Sequence, residues 1–316
     1  MKKKTSLLVI VALIALAVSA LAAEKSARTF VFEVAMPRGT VAGKTAESWS
    51  KMLRGLFDIA KKETGIEVTS NIQMSMEQVM KDFEKKKAHM SFLLAPDYVL
   101  ATDKKAPVTP VLNYKVKGEK EFEYCIYTKK GYGIEKVEDL RGKTIALEGI
   151  PKNALNPKKK YAAIGNGTAI FERIFLQKML DNEGVKEGFD SFFGKVELTK
   201  NVEFSLGMVL DGSADAAIAS ERMLVIMVEF MPNFKKLVPL KCVCPTPYSA
   251  VVYRTGINDS LKDELTGFIL KVHERDDFEE FREISGVEQF VEAKDSDYEP
   301  LRKLLAEARK KGWTEF

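Results

Sequence analysis

A glycine-containing turn at the start of a helix carries the clearest signal for ligand binding. The run Gly-Asn-Gly-Thr at 165–168 directly precedes a segment whose apolar residues recur at helical spacing. Glycines let the backbone approach a ligand closely, and the free N–H groups at a helix N-terminus favour an anion. Four lysines between residues 152 and 160 add positive charge. We interpret Asn166, Gly167 and Thr168 as an anion site; a helix cap beside a solvated basic loop is the alternative.

Two polar residues follow the first predicted strand, 30–36. Arg38 presents a guanidinium, which suits bidentate recognition of a carboxylate or phosphate, and Thr40 adds a hydroxyl two residues later. Ligands of open α/β sheets sit where the loops at the carboxyl ends of the strands converge. Both residues are therefore predicted to reach the same cleft as the glycine turn.

Four further side chains are predicted to line this cleft. Tyr98 follows the third predicted strand, and Asn201 precedes a predicted helix. Tyr124 lies on a strand that crosses between the two halves of the chain, with Tyr127 on its opposite face, so only one of these two tyrosines is expected to face a ligand. Glu221 follows a later strand, where it is placed to meet a cationic group of a zwitterionic ligand.

No catalytic or metal-ligating pattern accompanies these residues. The only two histidines, His89 and His273, are far apart in the sequence and do not have the spacing of a zinc or copper site. The sequence has no G-x-S-x-G nucleophile elbow, Walker A loop or zinc deaminase signature. We therefore expect a binding protein with no catalytic residues, no cofactor and no metal.

The elements that position these residues alternate between strands and helices. Strands are predicted over 30–36, 66–72, 89–95, 121–128, 143–147, 196–199, 214–219 and 248–254. Helices are predicted over 45–62, 168–182, 202–210, 260–273, 278–285 and 297–311, and another is expected to open with a capping box at Ser75. Such alternation is typical of an α/β fold with mostly parallel sheets flanked by helices.

Length and the repeated pattern indicate two lobes. The 316 residues suit two domains. We assign 28–118 together with 247–316 to one lobe and 119–246 to the other, with crossings near 115–120 and 241–248 and the segment 107–120 as a connection. The ligand cleft then lies between the lobes, which suits a solute receptor that closes by a hinge motion.

The N-terminus, residues 1–22, has the features of a signal peptide. Three lysines at 2–4 precede an apolar run over 7–18, and Ala-Leu-Ala at 20–22 matches the pattern read by signal peptidase. We expect cleavage after Ala22 and export to the periplasm; an uncleaved membrane anchor is the alternative. Without the three lysines the formal charge of +4 falls to about +1, which disfavours nucleic-acid binding.

Three cysteines lie in the predicted mature chain. Cys242 and Cys244 are two residues apart and are expected on one face of a strand, a poor geometry for a disulfide between them. A bridge would then join Cys125 to one of these two. Three buried apolar thiols are the alternative.

Several motifs occur in an order that resembles one family. They are HMSFLLAPDYV at 89–99, VEDLRGKTIA at 137–146, DSFFGKV at 190–196, MVLDGSADA at 208–216 and PTPYSAVVYR at 245–254. Together they resemble the phosphate/phosphonate-binding (PhnD-like) periplasmic substrate-binding proteins of ABC transporters. The resemblance implies a type II periplasmic binding fold, with a ligand cleft between two lobes, and delivery of a small anion to a membrane permease.

Three of the binding features that the resemblance implies are changed in this chain. The Ser-Thr-Ser-Gly run of the family falls on residues 166–169, where Thr168 supplies the one hydroxyl that is kept. The Ser-His pair falls on Asn201 and Val202, and the acidic residue expected after an Ile-Pro turn is missing near 247–249. The expected ligand is a phosphate- or phosphonate-like oxyanion or a small organic acid.

These observations predict a monomeric periplasmic solute-binding protein of an ABC transporter. Its expected partners are a small anionic ligand and a membrane permease. Two alternatives remain open: a ligand-sensing module for a membrane signalling protein, and an exported enzyme on the same scaffold.

Overall fold

The structure is a computed structural model that describes residues 28–35, 46–73, 75–150, 156 and 158–313. The predicted signal peptide and the predicted contacts Arg38 and Thr40 lie outside the described residues. Within the described part of the chain, no helix is both long enough and apolar enough to cross a membrane.

The first of two sheets contains six strands, in the order β11-β4-β10-β3-β1-β2. Their bounds are β1 Thr29–Ala35, β2 Glu67–Gln73, β3 Met90–Leu93, β4 Val108–Lys115, β10 Ala250–Arg254 and β11 Gln289–Glu292. Strand β1 is parallel to both β2 and β3, whereas β10 is antiparallel to β3 and β4, and β11 is antiparallel to β4. The sheet is therefore mixed, because the strands that return from the far part of the chain run against the first three.

The second sheet contains five strands, in the order β7-β6-β8-β5-β9. Their bounds are β5 Glu121–Lys129, β6 Thr144–Glu148, β7 Lys195–Thr199, β8 Ala216–Ser220 and β9 Leu237–Pro247. Strand β6 is parallel to β7 and β8, and β5 is antiparallel to β8 and β9. This sheet is also mixed.

Ten α-helices in the described part of the chain cover these sheets. They are α1 Ala46–Thr64, α2 Met76–Glu84, α3 Ala95–Asp103, α4 Gly167–Asn182, α5 Phe189–Phe192, α6 Val202–Asp211, α7 Glu221–Phe230, α8 Asp259–Lys271, α9 Glu279–Ser285 and α10 Glu299–Lys310. The side chain of Ser75 caps α2 by accepting a hydrogen bond from the amide of Gln78, as the sequence predicts. Helix α6 ends at Gly212, which adopts the left-handed conformation with φ +85°.

Two segments expected as connections are strands instead. The segment 107–120 contains β4, whose residues Leu112 and Tyr114 are buried. The second expected crossing, 241–248, belongs largely to β9. The chain therefore passes between the sheets at 116–120 and again between Pro247 and Ala250.

Three clusters of buried apolar side chains form the core. One lies within the first sheet and its helices, around Phe32 and Phe57, and another lies within the second sheet, around Leu206 and Ala217. The third contains side chains from both parts, for example Phe83 of α2 and Phe171 of α4. Burying a large apolar side chain contributes about 1.5–3 kcal/mol to stability. The first two clusters therefore stabilise each sheet with its helices, and the shared cluster holds the two sheets against each other.

Two of the family-like motifs meet at a pair of glycines. The amide of Gly142 donates to the carbonyl of Phe192 at 2.9 Å, and the amide of Gly194 donates to the carbonyl of Lys143 at 2.9 Å. A Cβ atom on Gly194 would collide with the backbone of Gly142. Gly194 therefore permits the close approach of the two backbone segments at the edge of the second sheet, and Gly142 adopts the left-handed conformation, with φ +71°.

A disulfide joins Cys125 of β5 to Cys242 of β9 at directly paired positions. The expectation that any bridge involves Cys125 is confirmed. Cys244 is a free thiol with a left-handed φ of +58°, so β9 is irregular there and does not simply continue one face from Cys242 to Cys244.

Candidate functional site

The glycine turn opens α4, and its cap comes from the other sheet. The side chain of Asn166 makes no capping hydrogen bond. Instead, Oδ1 of Asp97, in the first turn of α3, accepts hydrogen bonds from the amides of Gly165 at 2.6 Å and Gly167 at 2.9 Å. The carboxylate thus satisfies one of the amide donors that an α-helix leaves without an internal acceptor. Asp97 was not among the predicted contacts, although its neighbour Tyr98 was.

The starts of α3 and α4 touch at Gly167. A Cβ atom on Gly167 would lie 2.6 Å from Oδ1 of Asp97, 2.8 Å from the backbone nitrogen of Asp97 and 2.9 Å from the carbonyl carbon of Pro96. No other residue type fits this contact without movement of the backbone. Gly167 is therefore the point where the helices of the two sheets come closest in this site.

The structure also brings Tyr124 to the same turn. Its side chain is buried, its ring stacks on Phe175 with centroids 4.4 Å apart, and the side chain of Thr168 lies close enough to its hydroxyl to lower the pKa of that group. Tyr127, on the same strand, is buried in the separate cluster of the second sheet. Of the predicted contacts, Tyr124, Gly167 and Thr168 thus lie together.

Buried carboxyl groups surround this hydroxyl pair. Glu172 is fully buried; its Oε2 accepts from the amide of Glu148 at 3.1 Å, and its Oε1 has no hydrogen-bond partner among the described residues. Arg173 donates to the carbonyl oxygens of Glu148 at 2.9 Å and Ala169 at 2.7 Å. Glu172 and Arg173 interrupt an otherwise apolar run, which is the sequence signal that would have identified them.

Burial shifts the ionisation of all three carboxyl groups. Desolvation raises the pKa of Asp97 to about 6, although its two amide hydrogen bonds oppose the shift. Desolvation raises the pKa of Glu148 to about 7. It raises the pKa of Glu172 to about 8, with the charge of Glu148 adding to the effect. The site therefore holds exchangeable protons near neutral pH.

These raised pKa values predict that the protein loses stability as the pH rises. Between pH 5 and pH 8.5 the folded state holds protons that the unfolded chain has released, so the free energy of unfolding falls by roughly 5 kcal/mol or more. Urea unfolding at a series of pH values measures how steeply the free energy of unfolding falls with pH. The substitution Glu172→Gln should make this dependence weaker, whereas Glu292→Gln, at an exposed position, should leave it unchanged. A slope equal in wild type and Glu172→Gln would contradict the prediction.

Tyr98 and Asn201 form hydrogen bonds with residues outside the glycine turn. The hydroxyl of Tyr98 donates to Asp295 at 2.5 Å, and the ring lines an open groove of about 680 Å³ between α3, β4 and α10. Asn201 caps α6 by accepting from the amide of Phe204 at 3.0 Å. The hydroxyl of Tyr98 and the amide oxygen of Asn201 are therefore already used in hydrogen bonds within the protein.

Glu221 starts α7 beside the disulfide. Its Oε2 accepts from the amide of Glu123 at 3.0 Å, and its carboxylate lies within 4.8 Å of the sulfur atoms of Cys125 and Cys242. A carboxylate with two thiolates is a set of metal ligands, but here the two sulfur atoms are bonded to each other. The arrangement is that of a structural disulfide with an acidic neighbour.

Comparison with known proteins identifies the family. A family model described as ABC transporter, phosphonate, periplasmic substrate-binding protein matches residues 39–298. No curated protein sequence matches the chain. Similar solved structures include the binding protein component of an ABC phosphonate transporter from Pseudomonas aeruginosa, with TM-score 0.66, 12% identity and coverage of 90% of this chain and 87% of that chain.

Two further structures share the fold. PhnD1 from Prochlorococcus marinus, solved with methylphosphonate, has TM-score 0.64 and 11% identity and covers 90% of this chain and 99% of that chain. The aliphatic sulphonate binding protein SsuA from Escherichia coli has TM-score 0.53 and 12% identity and covers 90% of this chain and 79% of that chain. These neighbours confirm the α/β type II periplasmic binding fold. Because the family model covers most of the sequence, the chain belongs to the family of periplasmic substrate-binding proteins of phosphonate ABC transporters.

Proposed function

We propose that the protein binds a small oxyanion, a phosphonate or a phosphate, at the N-terminus of α4. As a substrate-binding protein of an ABC transporter, it works with a membrane permease that receives the ligand. The main observation in support is that the first turn of α4 contacts α3 of the other sheet at Gly167. The backbone amides of this turn therefore lie where the two sheets approach each other. The amides of Thr168 and Ala169 belong to the donors that have no acceptor within a helix.

We propose that the two lobes comprise 28–118 with 247–316, and 119–246. The grouping of strands into two sheets supports these boundaries, because the chain leaves the first sheet after β4 and re-enters it at β10.

Tyr124, Asn166, Gly167 and Thr168 are the proposed central contacts. Arg38, Thr40, Asn201 and Glu221 remain predicted contacts from the surrounding loops and helix starts. The hydrogen bond from Tyr98 to Asp295 supports a positioning role for Tyr98, at the base of the helix that carries Asp97.

The proposal extends to the mature form of the protein. We propose that it begins after Ala22, is a monomer and turns over no ligand. Intact-mass measurement of protein recovered from the periplasm tests the cleavage, and light scattering tests the monomer. Recovery of ligand unchanged from a stoichiometric complex tests the absence of catalysis.

A binding screen of the mature protein tests the ligand class. Inorganic phosphate, methylphosphonate, methanesulfonate, acetate and a neutral amino acid are compared by thermal shift and calorimetry. A ligand at one hundred times its dissociation constant stabilises the folded state by about 2.7 kcal/mol, which shifts the melting temperature visibly. A phosphorus oxyanion is expected to give the largest shift. A shift with only the acetate or the amino acid would overturn the proposed ligand class.

Replacing Thr168 with valine is expected to weaken binding of the best oxyanion by about tenfold or more. The substitution keeps the shape of the side chain but removes the hydroxyl that is proposed to donate to the anion, so one hydrogen bond to the anion is lost. Calorimetry measures the change. Thr102→Val is the matched control, because that hydroxyl donates to carbonyl groups within its own helix. Equal affinity in wild type and Thr168→Val would remove Thr168 from the site.

A further inference from the structure

Asp97 occupies part of the site where an anion is proposed to bind. Its carboxylate holds the amides of Gly165 and Gly167 and is only 4% exposed. It comes from α3, whereas the amides belong to the turn that starts α4. The protein thus already places one negative group at the N-terminus of α4, in a position that the local sequence of α4 does not supply.

An incoming oxyanion must share this helix end with Asp97. The donors that remain are the amides of Thr168 and Ala169 and the hydroxyls of Thr168 and Tyr124. An oxyanion on these groups brings one of its oxygens next to the Asp97 carboxylate. Two unprotonated anionic oxygens repel each other there, whereas a proton between them turns the contact into a charge-assisted hydrogen bond.

The surrounding charges strengthen the requirement for a proton. In their ionised forms Glu148 and Glu172 add negative charge near the Tyr124 hydroxyl, and Oε1 of Glu172 is buried without a hydrogen-bond partner among the described residues. Arg173 is the cation of the cluster, and it already donates to two carbonyl oxygens.

On the other side of α3, the arginines of α10 are engaged elsewhere. Arg302 pairs with Asp295, and Arg309 pairs with Asp103 at the far end of α3. Both of these arginines are therefore paired with carboxylates other than that of Asp97.

We infer that Asp97 determines specificity at this site by selecting oxyanions that carry a proton, namely hydrogen phosphonates and hydrogen phosphate, over sulfonates. The inference rests on the proposed function, because it requires that an oxyanion binds at the start of α4. The P–OH group of the ligand donates to Asp97 while its other oxygens accept from the amides and hydroxyls. A sulfonate has three acceptor oxygens and no proton near neutral pH, so its contact with Asp97 is repulsive.

The raised pKa of Asp97, about 6, supports the same assignment. A carboxyl group that takes up a proton at mildly acidic pH can itself donate to a sulfonate. The preference is therefore strong at pH 8 and declines as the pH falls towards 5.5. Glu148 and Glu172 lose their protons at higher pH than Asp97, because burial raises their pKa values to about 7 and about 8.

The test compares methylphosphonate with methanesulfonate by calorimetry at pH 7.5. Wild type is expected to prefer methylphosphonate by at least about a hundredfold, since a site built to receive a ligand hydroxyl rejects an analogue without it. In Asp97→Asn the preference should fall below about tenfold, mainly through tighter methanesulfonate binding. Asp103→Asn, at the other end of the same helix, is the matched control and should keep the wild-type ratio.

The possible outcomes separate this inference from the proposed function. An unchanged ratio in Asp97→Asn would overturn the role of Asp97 and leave the oxyanion site standing. If neither anion binds to any variant, although all variants melt cooperatively, both the oxyanion site and the inference are overturned. If Asp97→Asn does not fold, the inference is tested with wild type alone. The affinity of wild type for methanesulfonate should then rise at least about tenfold as the pH falls from 8 to 5.5. An affinity that stays constant over this range would overturn the inference.

Discussion

Replacing Gly167 with alanine is expected to lower the affinity for the oxyanion by about a hundredfold. The added methyl group would lie 2.8 Å from the backbone nitrogen of Asp97 and 2.9 Å from the carbonyl carbon of Pro96, and neither of these atoms can rotate away. The starts of α3 and α4 must therefore separate by about 1 Å, which misplaces the groups on both sides of the ligand. Calorimetry with methylphosphonate measures the loss.

The matched control for this substitution is Gly207→Ala. Gly207 lies within α6, and a Cβ atom there would meet nothing within 4 Å. Alanine at this position should leave binding unchanged and add up to about 1 kcal/mol of helix stability. Small-angle scattering adds a second measurement, because the Gly167→Ala protein should be less compact. Wild-type affinity and dimensions in Gly167→Ala would show that the contact between α3 and α4 is not needed for binding.

Removal of the disulfide is expected to lower the free energy of unfolding by about 4 kcal/mol. The bond closes a sequence separation of 117 residues, and the chain-entropy model assigns about 4.7 kcal/mol to a loop of 100 residues, with smaller values common in practice. Urea unfolding of Cys242→Ser measures the loss. Reductant added to wild type should reproduce most of it.

Cys244→Ser is the control for the disulfide. Its thiol is free and lies only two residues from Cys242, so the substitution should change the free energy of unfolding by less than about 1 kcal/mol. Equal unfolding curves for Cys242→Ser and Cys244→Ser, both matching wild type, would contradict the stabilising role of the bond.

Regular periodicity made most elements of this fold predictable. The helix predicted over 168–182 is observed as α4, and the strand predicted over 121–128 is observed as β5. Strand β4 was missed because prolines and lysines obscure its pattern, and it becomes a strand through its pairing with β10 and β11. Helix α7 was missed because most of its residues are apolar, which hides the one-sided pattern of an amphipathic helix.

The candidate site was predictable only where it is local. The turn before α4 was identified because glycines, a hydroxyl and a helix start are adjacent in the sequence. Its contact with Asp97 was not, because it joins residues 70 positions apart that meet only when the two sheets pack together. The pairing of Cys125 with Cys242 likewise depends on the register of β5 against β9, which composition and spacing do not specify.

The position of β10 sets an order of folding. This strand lies between β3 and β4 in the first sheet, yet it follows the whole second sheet in the chain. The second sheet is made from continuous sequence and can form from nearby contacts, whereas the first stays open until its inner strand arrives from more than 130 residues beyond β4. A chain interrupted before Ala250 would leave the edges of β3 and β4 unpaired, and such edges are the sites from which incomplete chains aggregate.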